Sequence, residues 1–247
     1  MVGLRTLDET VVWHDVECGA YTADLELWRS LAYDWPGRLL DLGCGSGRVA
    51  LDLAALGHDV TALDSEPALV AALASRARER GLRVRAEVAD ARTLALGRTF
   101  ALAIAPMQVV QLFGGQAGRE SALRAVRRHL EPGAVFAAAL ADPFEGVPAE
   151  DALPPLPDMR EEDGWVYSST PVAVRVDGDA TAIDRLRQAV SPRGELAESM
   201  ATIHLDQLEP SQLEAEAQAL GFRALPQRVV PETDGYVGST VVVLEAA

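Results

Sequence analysis

The segment Leu39-Leu40-Asp41-Leu42-Gly43-Cys44-Gly45-Ser46-Gly47-Arg48 constrains this chain most. An apolar run opens directly into three alternate glycines and then into a stretch suited to a helix. That order reads as strand, turn and helix. Glycine lacks a Cβ and tolerates positive φ, so such a turn lets a ligand approach bare backbone. In open α/β sheets, ligands sit at the carboxyl ends of strands, beside the switch in strand order. The spacing here is G-x-G-x-G, with the acid Asp41 two positions before the first glycine. Arg48 stands where a dinucleotide fingerprint needs its third glycine, and no Gly-Lys-Ser/Thr follows as a phosphate-binding loop requires.

The rhythm set by this segment repeats downstream. Short apolar runs alternate with helical patterns, as in βαβ units around a parallel sheet. Strands are expected at Arg38 to Leu42, Asp59 to Asp64, Leu82 to Val88, Phe100 to Ala105 and Ala134 to Leu140. The continuous run Phe100 to Ala105 suits a central strand buried on both faces. Helices are expected from Arg48 to Leu56, from an N-cap at Ser65 to Gly81, and from Glu120 to Leu130. Asp142 to Asp163 is rich in proline and acid and reads as a long loop. Trp165 to Val176, Ala180 to Val190 and Glu195 to Leu205 read as antiparallel strands. A helix from Glu209 to Leu220 and two strands, near Phe222 to Val230 and Val237 to Glu245, follow. Aromatic residues before Arg38 (Trp13, Tyr21, Trp28, Tyr33, Trp35) mark helices lying over the sheet.

Charge narrows the partners. The chain has 22 basic and 37 acidic side chains, a net charge of −15, which disfavours a phosphate backbone. The arginines at 76, 78, 80, 83 and 85 are balanced by Glu79 and Glu87 and read as a solvated face. All basic residues are Arg, so no mechanism that uses a lysine is open. No apolar run has the ~20 residues of a membrane-spanning helix. The first ten residues carry no apolar signal region. Two cysteines, Cys18 and Cys44, make neither a disulfide framework nor a metal site. The expectation is a cytoplasmic protein with no nucleic-acid, membrane or metal partner.

The ordered set of acids and turns resembles the class I S-adenosylmethionine-dependent methyltransferases, whose first motif reads acidic-x-Gly-x-Gly-x-Gly. Asp64 ends the second strand, where that family places an acid for the ribose hydroxyls. Asp90, in Val88-Ala89-Asp90-Ala91, matches the acid that contacts the adenine amino group. Ala105-Pro106-Met107-Gln108 matches the segment near the sulfonium, and Glu131-Pro132-Gly133 resembles the turn before the fifth strand. The resemblance implies S-adenosylmethionine as methyl donor and S-adenosylhomocysteine as product. It places them against Asp41, Gly43, Cys44, Gly45 and Arg48, then Asp64 and Ser65, then Asp90 and Ala91, then Ala105, Pro106 and Met107. Tyr21 resembles the aromatic that closes over the donor. One departure is Ala101, where the family usually has an acid.

The fold so implied is α/β and Rossmann-like: a doubly wound, mostly parallel seven-stranded sheet with an antiparallel last strand and an inserted antiparallel β lid. Residues 1–37 would form a helical lid, 38–141 the donor-binding core, 142–205 an acceptor cap that also offers a dimer interface, and 206–247 the closing helix and strands. Methyl transfer asks chiefly for alignment and exclusion of water. A base is needed when the acceptor is a hydroxyl, a protonated amine or a carbon acid. His14 and His204 are the candidate bases, while His58 and His129 suit structural roles. The Asn/Asp-Pro-Pro-Tyr/Phe motif of nucleic-acid amino-methyltransferases is absent from this sequence. A small-molecule acceptor is therefore favoured. A nucleic-acid or protein methyltransferase, and a non-catalytic module that binds the donor or its product, are the alternatives.

Overall fold

A computed structural model describes residues 8–141, 156–233 and 236–247. Two helices, α1 (Glu9–Cys18) and α2 (Leu25–Asp34), precede β1 (Arg38–Leu42), α3 (Arg48–Ala55), β2 (Asp59–Asp64), α4 (Pro67–Glu79), β3 (Val84–Val88) and β4 (Phe100–Ala105). A 3-10 turn, Val109–Leu112, leads to α5 (Gln116–His129) and β5 (Leu130–Leu140). Four further strands follow: β6 (Asp158–Glu162), β7 (Trp165–Asp177), β8 (Ala180–Val190) and β9 (Leu196–Asp206). The chain closes with α6 (Pro210–Gln218), β10 (Phe222–Val230) and β11 (Ser239–Ala246).

The main sheet has seven strands in the order β10-β11-β5-β4-β1-β2-β3. Only β11 runs against its neighbours, pairing antiparallel with both β10 and β5. The strand order reverses between β1 and β4, the position at which an open sheet forms its binding crevice. Side-chain alternation with a period of two supplies both faces of the core. Leu40, Leu42, Ala103, Phe136 and Val242 pack on one side, with Leu123 of α5 and Leu213 of α6. Leu39, Leu102, Ile104, Val135 and Val243 pack on the other, with Trp28 of α2 and Val49 and Leu53 of α3.

Strands β6-β7-β8-β9 form a separate antiparallel sheet. Helix α1 joins it to the core. Trp13 meets Tyr167 edge-on, with ring centroids 5.7 Å apart, beside Val12, Val16 and Ala189.

Several expected boundaries move. Asp158–Glu162 is a strand rather than loop, because each of its residues pairs with β7; residues 142–155 of the expected loop lie outside the described residues. Glu66, not Ser65, caps α4: its side chain accepts from the Ala68 amide at 3.2 Å. Helix α5 begins at Gln116, ahead of the expected Glu120, behind two glycines at positive φ. Arg76 leaves the solvated arginine face and bonds Asp15 and the Ser46 carbonyl.

The second sheet is anchored at its far end by a buried ion cluster. Arg119 of α5 donates to both oxygens of Glu216 (2.9 and 2.7 Å) and to Asp206 at the end of β9 (2.7 Å). Asp206 also accepts the Gly115 amide at 2.8 Å. Removing one partner of such a cluster strands the others without water, at about 3–5 kcal/mol. Arg119→Ala is expected to lose stability of that order in equilibrium urea unfolding. A loss under about 1 kcal/mol would show that the cluster is well hydrated.

Candidate active site

A cavity of about 820 Å³ opens between the carboxyl ends of the parallel strands and the second sheet. Its floor is made by Asp41, Gly43 and Cys44 after β1, Asp64 and Ser65 after β2, Asp90 and Ala91 after β3, and Pro106 and Met107 after β4. Four separate strand ends thus deliver the residues that the sequence pattern brings forward.

Asp41 sits deepest, 1% exposed, and neither carboxylate oxygen has a hydrogen-bond partner. Burial pushes its pKa up to about 8, against the opposing pull of Arg48. The guanidinium of Arg48 is itself committed to Asp24 through two bonds (2.5 and 2.7 Å) and to the Tyr21 carbonyl at 2.9 Å. A buried carboxylate without a donor is costly, and it suits a ligand that brings a cation.

Asp64 is held rigidly. One oxygen accepts the Gly45 amide and the other the Glu66 amide, both at 2.9 Å. Each oxygen retains a further lone pair for a hydroxyl donor. Asp90 lies at the rim, where Arg92 chelates it at 2.7–3.0 Å and holds its carboxyl below the usual range. Met107 follows Pro106 with φ of 57°, a left-handed conformation that is rare outside glycine and costs roughly 1–3 kcal/mol. It turns the chain along the cavity edge.

The glycines of the turn serve different neighbours. Gly43 has φ of 62°, and a Cβ there would lie 2.6 Å from Val109. At Gly45, with φ of 55°, a Cβ would collide with the His14 ring. The helix α1 histidine therefore packs directly on the middle glycine. His14 Nδ1 stands 3.3 Å from the Ser46 hydroxyl, whose proton goes to Asp15 at 2.6 Å. That network assigns the imidazole proton to Nδ1 and leaves Nε2 with a lone pair. Asp15 also binds Arg76 through both its oxygens, and Arg160 of β6 at 3.0 Å. Burial alone would raise the Asp15 pKa, but the bonds from His14, Arg76 and Ser46 outweigh it and hold the carboxyl well below its ordinary value.

Ten of the candidate donor-site residues line the cavity together with His14; Tyr21, Gly45 and Ala105 do not. Tyr21 is buried behind the wall, tilted against Tyr236 with ring centroids 4.8 Å apart and under the Arg48 guanidinium at 5.1 Å. Tyr236 takes its place at the surface of the cavity. Gly45 is covered by His14, and Ala105 is sealed within the sheet. His204 is corrected as a base. It is exposed and contacts Asp177 at 3.2 Å, while its neighbours Ile203 and Leu205 face the cavity. Strand alternation puts it on the wrong side. His129 is structural, bonding the Ala125 carbonyl and the Leu96 amide. Burial raises both thiols, Cys18 to about 12, so neither is a thiolate nucleophile at neutral pH. No group of metal-binding side chains occurs among the described residues.

The sequence reading missed Asp15, Ser46, Arg76 and Arg160, and also Glu17, Asp158 and Arg185, which line the cavity near the second sheet. Local sequence gives no signal for them, since each acts across elements far apart in the chain.

The raised pKa of Asp41 has a direct consequence for stability. The folded protein without ligand keeps a proton up to about pH 8 that the unfolded chain releases near pH 4. Stability must therefore fall as pH rises across that window. Asp41→Asn cannot titrate, so its melting temperature should change less than that of wild type between pH 5 and pH 9. At pH 9 the variant should be the more stable of the two. Identical pH profiles would show that Asp41 is ionised in the empty cavity.

Comparison with known proteins agrees with this geometry. Residues 39–133 match a family model described as a methyltransferase domain. A curated relative, hemagglutinin 1 from Eikenella corrodens, is 37% identical over 99 residues, which is 40% of this chain and 32% of that protein. The chain thus spans about a third of that relative's length. An S-adenosylmethionine-dependent methyltransferase from Clostridium acetobutylicum superposes with a TM-score of 0.73 at 13% identity, covering 96% of each chain. The sugar N-methyltransferase KedS8 from Streptoalloteichus gives 0.72 at 22% identity, covering 98% of this chain and 96% of that one. The amino pentose methyltransferase CalS10 from Micromonospora echinaspora gives 0.70 at 21%, covering 99% and 100%. At these identities the solved structures establish the fold. The family match covers the strands and the glycine turn that build the cavity floor, and the fold is that of the S-adenosylmethionine-dependent methyltransferases it superposes on.

Proposed function

We propose that the protein is an enzyme that transfers a methyl group from S-adenosylmethionine to a small-molecule acceptor, at oxygen, nitrogen or carbon. The observation that carries this reading is the buried, unpartnered carboxylate of Asp41 beside the glycine turn. When bound, the donor supplies an electrophilic methyl carbon on a sulfonium. Asp41 would hold the ammonium of its amino-acid end. Asp64, already fixed by two amides, would accept the ribose hydroxyls, and Asp90 with Ala91 would face the adenine. Pro106 and Met107 would set the edge along which the acceptor approaches. The second sheet, residues 158–206, would act as a lid that excludes water, which strengthens every polar contact beneath it. His14 Nε2 would take the acceptor's proton where one must leave. Among solved relatives, KedS8 and CalS10 act on sugars, which supports a small acceptor for this chain too. Two unpaired cysteines suit a cytoplasmic setting, and no described helix is long and apolar enough to cross a membrane.

Calorimetric titration tests the donor site. Micromolar binding of S-adenosylmethionine is expected for wild type. Asp64→Ala should weaken it about 10-fold or more, the loss of one to two charged hydrogen bonds. No binding by wild type would refute the assignment. Turnover, read as a 14-dalton mass gain across a panel of acceptors, tests His14. His14→Gln should lower kcat about 10²–10⁴-fold. An unchanged kcat would take His14 out of the chemistry.

A further inference from the structure

The distribution of charge within the cavity identifies the chemical class of acceptor, given the donor reading above. At the donor end, Asp41 and Asp64 have no ion pair to an arginine among the described residues, and Arg48 is spent on Asp24. Those two acids match a cationic donor. Beneath the lid the charges instead close on one another. Glu17 is chelated by Arg187 at 2.7 and 2.8 Å. Asp158 bonds Arg185 and accepts the Tyr236 hydroxyl at 3.3 Å. Among the described residues, this end of the cavity therefore offers a ligand neither a spare cation nor a spare anion.

The rest of the described wall is largely apolar, with Gln108 and His14 as its polar members. Val174, Ile183, Ile203 and Leu205 of the lid face the cavity, opposite Leu112 and Phe113. On the other side of the same strands, Asp184, Thr202 and His204 bond one another or Asp177. Near the cavity the second sheet thus turns these polar side chains outward and presents apolar ones, beside the paired Arg185, to the open space. Apolar side chains facing a cavity gain nothing from water, and the hydrophobic effect favours an occupant that displaces it. A diphosphate or carboxylate ligand would need unpaired guanidinium groups here, and would lose its hydration against this wall. From these observations we propose that the acceptor is an uncharged, largely apolar small molecule, seated beneath the lid on Val174, Ile183, Ile203 and Leu205 with its nucleophile toward Met107 and His14.

The test uses the neutral fluorescent probe N-phenyl-1-naphthylamine, titrated into the full chain with and without S-adenosylhomocysteine, and thymidine diphosphate titrated by calorimetry in parallel. Wild type is expected to bind the probe with enhanced fluorescence. Ile203→Asp, and the milder Ile183→Gln should the first not fold, are each expected to weaken it about 10-fold or more. S-adenosylhomocysteine affinity in the folded variants should stay near wild type, and thymidine diphosphate should not bind. Absence of probe binding, equal probe binding by wild type and folded variants, or micromolar binding of the diphosphate would overturn the proposal. Failure of S-adenosylhomocysteine to bind wild type would count against the donor reading instead, and the titration of the unloaded protein would still report on the apolar wall.

Discussion

Four elements meet at one buried carboxylate. Asp15, on α1, takes bonds from the Ser46 hydroxyl in the glycine turn, from Arg76 on α4 and from Arg160 on β6. The first of these elements lies over the cavity, the second is the glycine turn, the third belongs to the core and the fourth to the second sheet. Taking the carboxylate away would leave two half-buried guanidinium groups without their shared anion, the expensive half of a broken ion cluster. The same contact orders His14, because the Ser46 proton that goes to Asp15 leaves the hydroxyl free to accept from Nδ1. The position of the lid and the state of the histidine thus depend on one interaction.

The cavity floor follows the opposite logic. Asp41 is kept without a partner although Arg48 is close, because Asp24, Tyr21 and Trp28 form a closed network that consumes both Arg48 and Asp24. Burial then makes the neutral acid the stable form of Asp41 at neutral pH. A cation arriving beside it would restore the charge and expel the proton. Such a site favours a ligand that brings a cation over one that brings phosphate.

The core was legible because its signals are local. The run from Phe100 to Ala105, the three glycines after Leu42 and the acids closing β2 and β3 each announce their place within a few residues. The floor of the cavity could be read for the same reason. What depends on which way a side chain faces could not. His204 and Ile203 are adjacent, yet only alternation along β9 decides which one meets the cavity. Tyr21 has the chemistry of a residue that closes over a ligand, but its ring packs against Tyr236 one layer back. Asp15, Arg76 and Arg160 lie 61 and 145 residues apart along the chain, and only the folded structure makes them one cluster. Asp158 to Glu162 carries the composition of a loop and becomes a strand because β7 offers it an edge.

The central claim is that Asp41 is protonated in the free protein and becomes charged when a cation binds beside it. Its most direct test is calorimetry of S-adenosylmethionine binding at pH 7 in two buffers of different ionisation enthalpy. The buffer dependence of the heat gives the protons exchanged. A pKa of about 8 in the free protein, returned to the carboxylate range by the bound cation, predicts release of roughly one proton per donor bound, absent in Asp41→Asn. Binding with the same heat in both buffers would contradict the account, because it would mean that Asp41 was already charged or never meets the donor.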